Sequence, residues 1–256
     1  MAMSLLQAAY AFALRTIYSG RGMPWAVHDE TIRIAPDARH LVPHVSEPAL
    51  YAFLRDSVRP GETVLDVGAF VGIYALLEAR WAGPRGRVVA FEPTASSAAL
   101  ARRHFGWNGE GERVTLVEAA VSDRESVAQL HTYAAQAMPY SNSLVPAADV
   151  QGTGLIESVR VTTIDAVCRD LGIRPTLIRM DVQGAEVHAI RGARETIAAS
   201  PGLRMVVEMH PQCWPAFGVT ADDMRRVVDD CGLAMRPLVD AEPLFGRDAH
   251  AVLFKP

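Results

Sequence analysis

Cysteine is scarce in this chain. Cys168, Cys213 and Cys231 are the three present in 256 residues. None stands at the close spacing of a zinc site or a redox pair, so those chemistries are excluded. Three isolated thiols fit a reduced, cytoplasmic protein. Positive charge is not in excess either: the formal net charge is -4. That excludes a broad electrostatic attraction to nucleic acid. The densest basic point, Arg102-Arg103-His104, reads as a solvated helix face. No apolar run reaches the ~18 residues of a membrane span. There are no internal repeats and no low-complexity tracts.

The stretch from Met3 to Tyr18 needs separate treatment. Leu5, Leu6, Ala9, Phe12, Ala13 and Ile17 recur at helical spacing, and Gln7 and Arg15 interrupt them. No basic segment precedes it and no small-x-small cleavage site follows, so a signal peptide is not expected. The expectation is an amphipathic helix packed on the core or on a second subunit, which suits a homodimer. A substrate-covering lid or a membrane-surface contact is the alternative.

What remains is globular: half the residues are hydrophobic (50%) and 21% are charged. Residues 1–60 read as an N-terminal helical and irregular cap. It carries a short strand at Thr31–Ile34, prolines at 36, 43 and 48, and a helix from Pro48 to Val58. Residues 61–256 read as one α/β unit. Strands are expected at Thr63–Val67, Arg87–Phe91 and Val114–Ala120, with helices between them ending near Trp81 and Trp107. This βαβαβ rhythm implies a parallel sheet covered on both faces. Val127–Tyr133 reads as an edge strand. A segment of about 134–160, rich in Pro, Ser, Asn and Gly, reads as a long substrate loop or lid. Tyr140, Ser141, Asn142 and Ser143 lie there and are candidates to touch an acceptor. Then follow a helix at Thr163–Leu171, a strand at Leu177–Val182 and a helix at Ala185–Ala199. A strand at Arg204–Met209 and a helix at Ala221–Cys231 come next. Leu233–Val239 and Ala249–Phe254 close the unit as an antiparallel pair.

The first strand runs into VLDVGAFVG, from Val64 to Gly72. Asp66 lies at its carboxyl end. Gly68 lets the backbone turn tightly, Ala69 follows in the loop, and Gly72 lets the next helix approach. Ligands of open α/β sheets bind beyond the carboxyl ends of the strands. Glu92 ends the second strand about twenty residues later, where a carboxylate accepts hydrogen bonds from ribose hydroxyls. Pro93 stops that strand. A dinucleotide site requires G-x-G-x-x-G facing a pyrophosphate. Here the spacing is D-x-G-x-x-x-G, which counts against an NAD-dependent oxidoreductase. S-adenosylmethionine (SAM) has a ribose and an adenine but no phosphate, and it carries a sulfonium cation. Asp66 suits that ligand better. Singly, Asp66 would read as a turn carboxylate and Glu92 as an exposed strand end; the combination points to SAM.

Asp181, Glu208 and His210 fall at the ends of two later core strands and are the catalytic candidates. Methyl transfer to a hydroxyl needs alignment and the loss of one proton. His210 or Asp181 is expected as the base, oriented by Glu208. The trio also has mixed ligand chemistry for a divalent metal, although no metal is assigned. Asp181 before Gly184 could instead cap a helix, and His210 before Pro211 could be a turn residue. His28, His40, His44, His104, His131, His188 and His250 show no ligand spacing.

These residues resemble the FkbM-type methyltransferases over roughly Glu47 to His210. VLDVGAFVG is similar to that family's cofactor loop, FEP at Phe91–Pro93 to its ribose-binding strand end, and LIRMDVQGAE at Leu177–Glu186 to its signature. AAVSD at Ala119–Asp123 resembles the segment lining the adenine, which implies cofactor contacts at Ala120 and Val121. VVEMH at Val206–His210 resembles the fifth-strand end, and Glu47 stands where the family has an acidic residue beside the cofactor. Three positions depart from the pattern: Phe70 replaces Asn, Arg179 replaces Lys, and Gln183 replaces Glu. The resemblance implies a Rossmann-like class I methyltransferase with a seven-stranded, mostly parallel sheet and helices on both faces. It implies O-methylation of a small-molecule, sugar, lipid or natural-product acceptor. N-methylation on the same scaffold is the enzyme alternative. A catalytically silent SAM-binding protein is the non-enzyme one, and the loss of a carboxylate at Gln183 bears on it.

Overall fold

The computed structural model describes residues 5–132, 144, 155–240 and 243–256. In chain order the elements are α1 (Leu5–Ile17), β1 (Met23–Val27), β2 (Glu30–Ile34), α2 (Pro48–Ser57), β3 (Thr63–Val67) and α3 (Ile73–Ala82). Next come β4 (Arg87–Phe91), α4 (Ala95–Trp107), β5 (Val114–Val117), β6 (Ala120–Val121), β7 (Ser126–Thr132) and β8 (Leu155–Thr162). The chain continues with α5 (Ile164–Leu171), β9 (Leu177–Met180), α6 (Glu186–Arg191), α7 (Arg194–Ala199) and β10 (Arg204–Met209). It ends with α8 (Ala221–Asp230), β11 (Ala234–Pro237) and β12 (Ala249–Phe254).

Seven strands form the main sheet in the order β11-β12-β10-β9-β3-β4-β5. Strands β10, β9, β3, β4 and β5 pair in parallel, and β12 runs antiparallel to both of its neighbours. Alternation along each strand feeds two cores. Leu65, Val67, Val89, Phe91, Ile178 and Met180 pack with Val187 and Ile190 of α6 and Met224 and Val228 of α8. Val64, Val88, Ala90 and Leu177 pack on the other face with Leu50 and Leu54 of α2, Leu76 of α3 and Phe105 of α4. The expected sheet with helices on both faces is therefore present. The chain leaves β3 toward β4 and β5, then returns on the other side of β3 as β9. That reversal puts the crevice of the fold at the carboxyl ends of β3 and β9.

Local chemistry sets several boundaries. Thr163 caps α5 by accepting from the Ala166 backbone N–H, and Thr220 and Asp223 form a reciprocal capping box at the start of α8. The single helix expected over 185–199 is broken into α6 and α7 at Gly192. A Cβ there would lie 2.1 Å from the Ser122 carbonyl, so the bare backbone lets the helix meet the β6 end. The third strand expected to reach Ala120 stops at Val117. Ala120–Val121 instead joins a separate three-stranded sheet, β6-β8-β7. The long loop expected to run to about 160 ends sooner, because β8 begins at Leu155 and pairs along the whole of β7. Tyr140, Ser141, Asn142 and Ser143 lie outside the described residues. The N-terminal cap also holds more order than expected: β1 pairs antiparallel with β2. Most of the described apolar side chains of α1 face outward. Leu6, Tyr10, Phe12 and Ile17 are exposed, and Ala11 is buried. Among the described residues no helix is long and apolar enough to cross a membrane.

Candidate active site

A cavity of about 440 Å³ opens at the carboxyl ends of β3, β4, β9 and β10. Its volume lies within the range of small-molecule and cofactor sites. One end is walled by Gly68–Phe70, Phe91–Pro93 and Ala119–Val121. The other is walled by Glu47, Tyr74, Arg179, Asp181, Gln183 and Glu208. Val27, His28, Leu41, Val42, Pro43 and Ser46 of the N-terminal cap complete the enclosure. The cap is thus part of the site rather than an appendage to it.

At the first end the backbone does most of the building. The Gly68 and Ala69 N–H groups both donate to the Phe91 carbonyl, at 3.0 and 2.8 Å, which folds the loop over the end of β4. Gly68 has φ +90, and a Cβ there would lie 1.9 Å from the Asp181 carbonyl oxygen. Only glycine allows the β3 and β9 loops to touch in this way. Gly72, at φ +79, answers to packing: a Cβ would press on the Phe105 ring at 2.7 Å. Glu92 is buried, with Oε2 accepting from the Phe70 N–H at 2.9 Å and Oε1 from the Thr94 N–H at 2.8 Å. Burial raises its pKa to about 7 despite those two donors. Each carboxylate oxygen keeps a further lone pair, which is the acceptor set a ribose diol requires.

Asp66 does not line this cavity. It is fully buried beneath it, with Oδ1 accepting from Arg179 Nη1 at 2.9 Å. Burial pushes its carboxyl up, and the guanidinium opposes the rise without cancelling it. Glu78 of α3 is buried nearby with neither oxygen hydrogen-bonded, and burial with the Asp66 charge holds it well above the usual carboxylate range. Arg179 is the hub. It also donates to the Gly68 carbonyl at 3.2 Å and to Asp181 Oδ2 at 3.3 Å, and its guanidinium lies 4.7 Å from the Tyr74 ring centre. The charge expected to face the cofactor at Asp66 is therefore engaged by Arg179.

The second end is built by side chains. His250 of β12 stands opposite Glu208 of β10 in register. Its Nε2 lies 3.1 Å from Glu47 Oε1 and 3.8 Å from Glu208 Oε2. The Tyr74 hydroxyl donates to Glu47 Oε2 at 3.3 Å. Glu208 Oε1 is 3.7 Å from His210 Nε2, which is 3.9 Å from Asp181 Oδ1. Burial and the neighbouring Asp181 charge raise Glu208 to about 7. Glu47 titrates below its ordinary value: burial raises it, but His250 and Arg179 outweigh that. Glu47 thus sits with Glu208, at the opposite end from Glu92. The sets Glu47, Glu208, His250 and Asp181, Glu208, His210 each gather three ligand atoms within 4.8 Å, a donor set that suits a divalent cation.

His210 is set back from the cavity. It is almost fully buried, and its Nδ1 lies 2.8 Å from Glu186 Oε1. Burial lowers its pKa, but Glu186, Asp181 and Glu208 together push it up to about 9. Its orienting partner is Glu186 rather than the expected Glu208. Between the ring and the cavity stands Gln183, whose Nε2 is 3.0 Å from His210 Nε2 and 2.8 Å from Asp181 Oδ1.

The Methyltransferase FkbM domain family matches residues 66–233, about two thirds of the chain. The chain belongs to the FkbM methyltransferase family. It is 31% identical over 153 residues to the 2-O-methyltransferase NoeI of Sinorhizobium fredii (strain NBRC 101917 / NGR234). That match spans 54% of this chain and 60% of the relative. An O-methyltransferase from Bacillus cereus solved in complex with SAH superposes with a TM-score of 0.51 at 12% identity, covering 86% of each chain. The likeness is one of fold, the class I methyltransferase fold.

The residues present fit SAM. Glu92 offers acceptors for the ribose, Phe91, Ala120 and Val121 offer an apolar wall for the adenine, and Glu47, Asp181 and Glu208 complement a cationic ligand. Sequence reasoning missed Glu186, Tyr74 and His250. The spacing of His250 carried no signal, because its place depends on β12 entering the sheet between β10 and β11. For Glu186 a signal existed in the matched signature, three residues beyond Gln183.

Proposed function

We propose that this protein is a SAM-dependent O-methyltransferase acting on a hydroxyl of a sugar, lipid or natural-product scaffold. The observation that carries the reading is the continuity of the cavity. One enclosure joins a ribose-ready carboxylate, Glu92, to a cluster of acidic groups at the neighbouring strand ends. SAM, when bound, supplies a methyl group on an activated sulfonium. The chain's own residues then have two tasks. The first is to hold an alcohol in line, for which the walls from the N-terminal cap and β10 provide the shape. The second is to take the hydroxyl proton. Asp181 and Glu208 both reach the cavity, and Glu208, with its pKa raised to about 7, is matched to a base working near neutral pH. His210 acts from behind them. The O-methyl activity printed for the NoeI relative supports the choice of a hydroxyl acceptor.

Two measurements test the reading. Calorimetric titration with S-adenosylhomocysteine is expected to show saturable binding. Release of S-adenosylhomocysteine from SAM is then followed across a panel of glycan, lipid and phenolic alcohols, with matched amines beside them. Turnover with an alcohol that falls ~10²–10⁴-fold in Glu208→Gln, with cofactor affinity retained, is the expected result. Turnover on the amines alone would replace O- by N-methylation. Absence of any binding by the folded protein would remove the enzyme reading altogether.

A further inference from the structure

We propose that Glu47, Glu208 and His250 form a site for a first-row divalent cation at the acceptor end of the cavity. The site stands on geometry; its role, holding the acceptor's oxygen, rests on the methyltransferase reading. The three side chains come from separate segments: Glu47 precedes α2, Glu208 lies on β10 and His250 on β12. Each offers one ligand atom, and the three atoms lie within 4.8 Å of one another. Glu208 and His250 are directly opposite in the antiparallel pair, so both project from the same face of the sheet. Two strands fixed in register hold them, which is a firmer mount than a loop.

The ring of His250 points to a ligand. Its Nε2 is buried, yet among the described residues it makes no aligned hydrogen bond. Glu47 Oε1 at 3.1 Å and Glu208 Oε2 at 3.8 Å are close to it without the direction an N–H bond needs. Ligand atoms ~2.1 Å from an ion stand ~3 Å apart at right angles around it. Nε2 and Glu47 Oε1 already have that separation, and a small rotation of the Glu208 carboxylate brings in the third atom. The Tyr74 hydroxyl donates to Glu47 Oε2 at 3.3 Å, which orients the carboxylate and leaves Oε1 beside the ring. Arg179 is not a direct partner here: its hydrogen bonds go to Asp66, the Gly68 carbonyl and Asp181.

The other three-ligand set, Asp181, Glu208 and His210, is filled by protein. The Gln183 amide nitrogen stands between His210 Nε2, at 3.0 Å, and Asp181 Oδ1, at 2.8 Å. The Glu47 set keeps its ring nitrogen without such a donor. Two carboxylate oxygens and one imidazole nitrogen suit Mn2+ or Fe2+ better than Mg2+ or Ca2+, which prefer oxygen alone. Glu47 and Glu208 line the cavity, so the ion's open positions are reached from it. A hydroxyl oxygen bound there is polarised and held in place. With the ion bound, Glu208 is its ligand, and Asp181 is the cavity carboxylate left to take the acceptor proton.

Titration of the metal-free full chain with Mn2+ at about pH 7.5, followed by electron paramagnetic resonance, tests the site. Wild type is expected to hold one Mn2+ per chain, with nitrogen coupling from a single imidazole in the spin-echo spectrum. His250→Ala is expected to abolish that coupling. His250→Ala and Glu47→Gln are each expected to weaken Mn2+ more than ~100-fold, and Tyr74→Phe, which removes only the donor orienting Glu47, about tenfold. Asp181→Asn is expected to leave Mn2+ affinity nearly unchanged. Glu47→Gln keeps the shape of a side chain outside the sheet, so it reads the site even where His250→Ala lowers the yield of folded protein. Three results overturn the proposal: no Mn2+ held by wild type, an affinity indifferent to both His250→Ala and Glu47→Gln, or an affinity lost in Asp181→Asn and kept in His250→Ala. Calorimetry with S-adenosylhomocysteine on the same samples separates the two readings. Mn2+ held without cofactor binding leaves the site standing and sinks the methyltransferase reading; cofactor binding without Mn2+ does the reverse.

Discussion

At the Glu92 end of the cavity, backbone N–H groups hold a side chain; at the Glu208 end, side chains hold one another. The Glu92 carboxylate rests on the Phe70 and Thr94 amides, and the loop that supplies one of them is pinned by Gly68 and Ala69 to the Phe91 carbonyl. The Glu208 carboxylate has two histidines and Asp181 around it, each drawn from a different segment. Backbone cradles depend on where glycine is permitted, so few substitutions can alter them. Side-chain clusters are retuned by single substitutions, because each carboxylate there answers to its side-chain neighbours. Gln183, where the resemblance implies a glutamate, is one such position.

The sharpest way to break the contrast is Gly68→Ala. The added methyl would overlap the Asp181 carbonyl at a position with φ +90, so the loop must move or the chain must fail to fold. Loss of S-adenosylhomocysteine binding together with a collapse of the melting transition is expected. Near-normal binding would mean that the loop is not pinned. Next in size is Arg179→Met, which leaves Asp66 and Glu78 buried without their cation. Breaking a buried pair by removing one partner costs ~3–5 kcal/mol, and a drop in Tm of roughly 10 °C or more is expected by calorimetry.

Glu92→Gln is expected to do less to the fold and more to the ligand. Losing charge-assisted acceptors weakens S-adenosylhomocysteine by ~1.5–3 kcal/mol, roughly ten- to hundredfold. The pH dependence has a definite sign. Burial raises Glu92 from 4.5 to about 7, so between those values the folded protein holds a proton that the unfolded chain has lost. Wild-type stability relative to Glu92→Gln is therefore full below pH ~4.5 and declines as pH rises to ~7, by up to about 3 kcal/mol. Cofactor affinity moves the opposite way, tightening as Glu92 ionises. Denaturant titrations and calorimetry at pH 5 and 8 check both directions. The smallest effect belongs far from either end. Arg15 and Asp37 are both more than half exposed, and Arg15→Ala is expected to change Tm by less than about 2 °C.

The backbone-built end was also the part open to reading from the chain. Glycine spacing, a strand-end Glu92 and the βαβ rhythm are local signals, and they place the loop and the sheet without any long-range pairing. The side-chain end was read in fragments. Asp181, Glu208 and Glu47 were identified individually. Their arrangement depends on long-range pairing that no local pattern encodes: His250 enters through an antiparallel strand, and His210 finds its partner on α6. Asp66 shows the reverse problem. Its place in the motif was clear, but the sequence around it does not reveal that Arg179, across a neighbouring strand, engages it. The exposed side of α1 is a further limit, since helical periodicity names an apolar face without saying what covers it.

The contact at Gly68 has a genetic consequence. Its obstacle is a main-chain carbonyl, not a side chain, so changing the residue type at position 181 does nothing to clear the space. A lesion at Gly68 should therefore have no revertant among substitutions at 181, whereas a lesion at Gly72, which would press on the Phe105 ring and the Ala101 methyl, should be eased by a smaller residue at 105 but not erased, because φ +79 strains any side chain there.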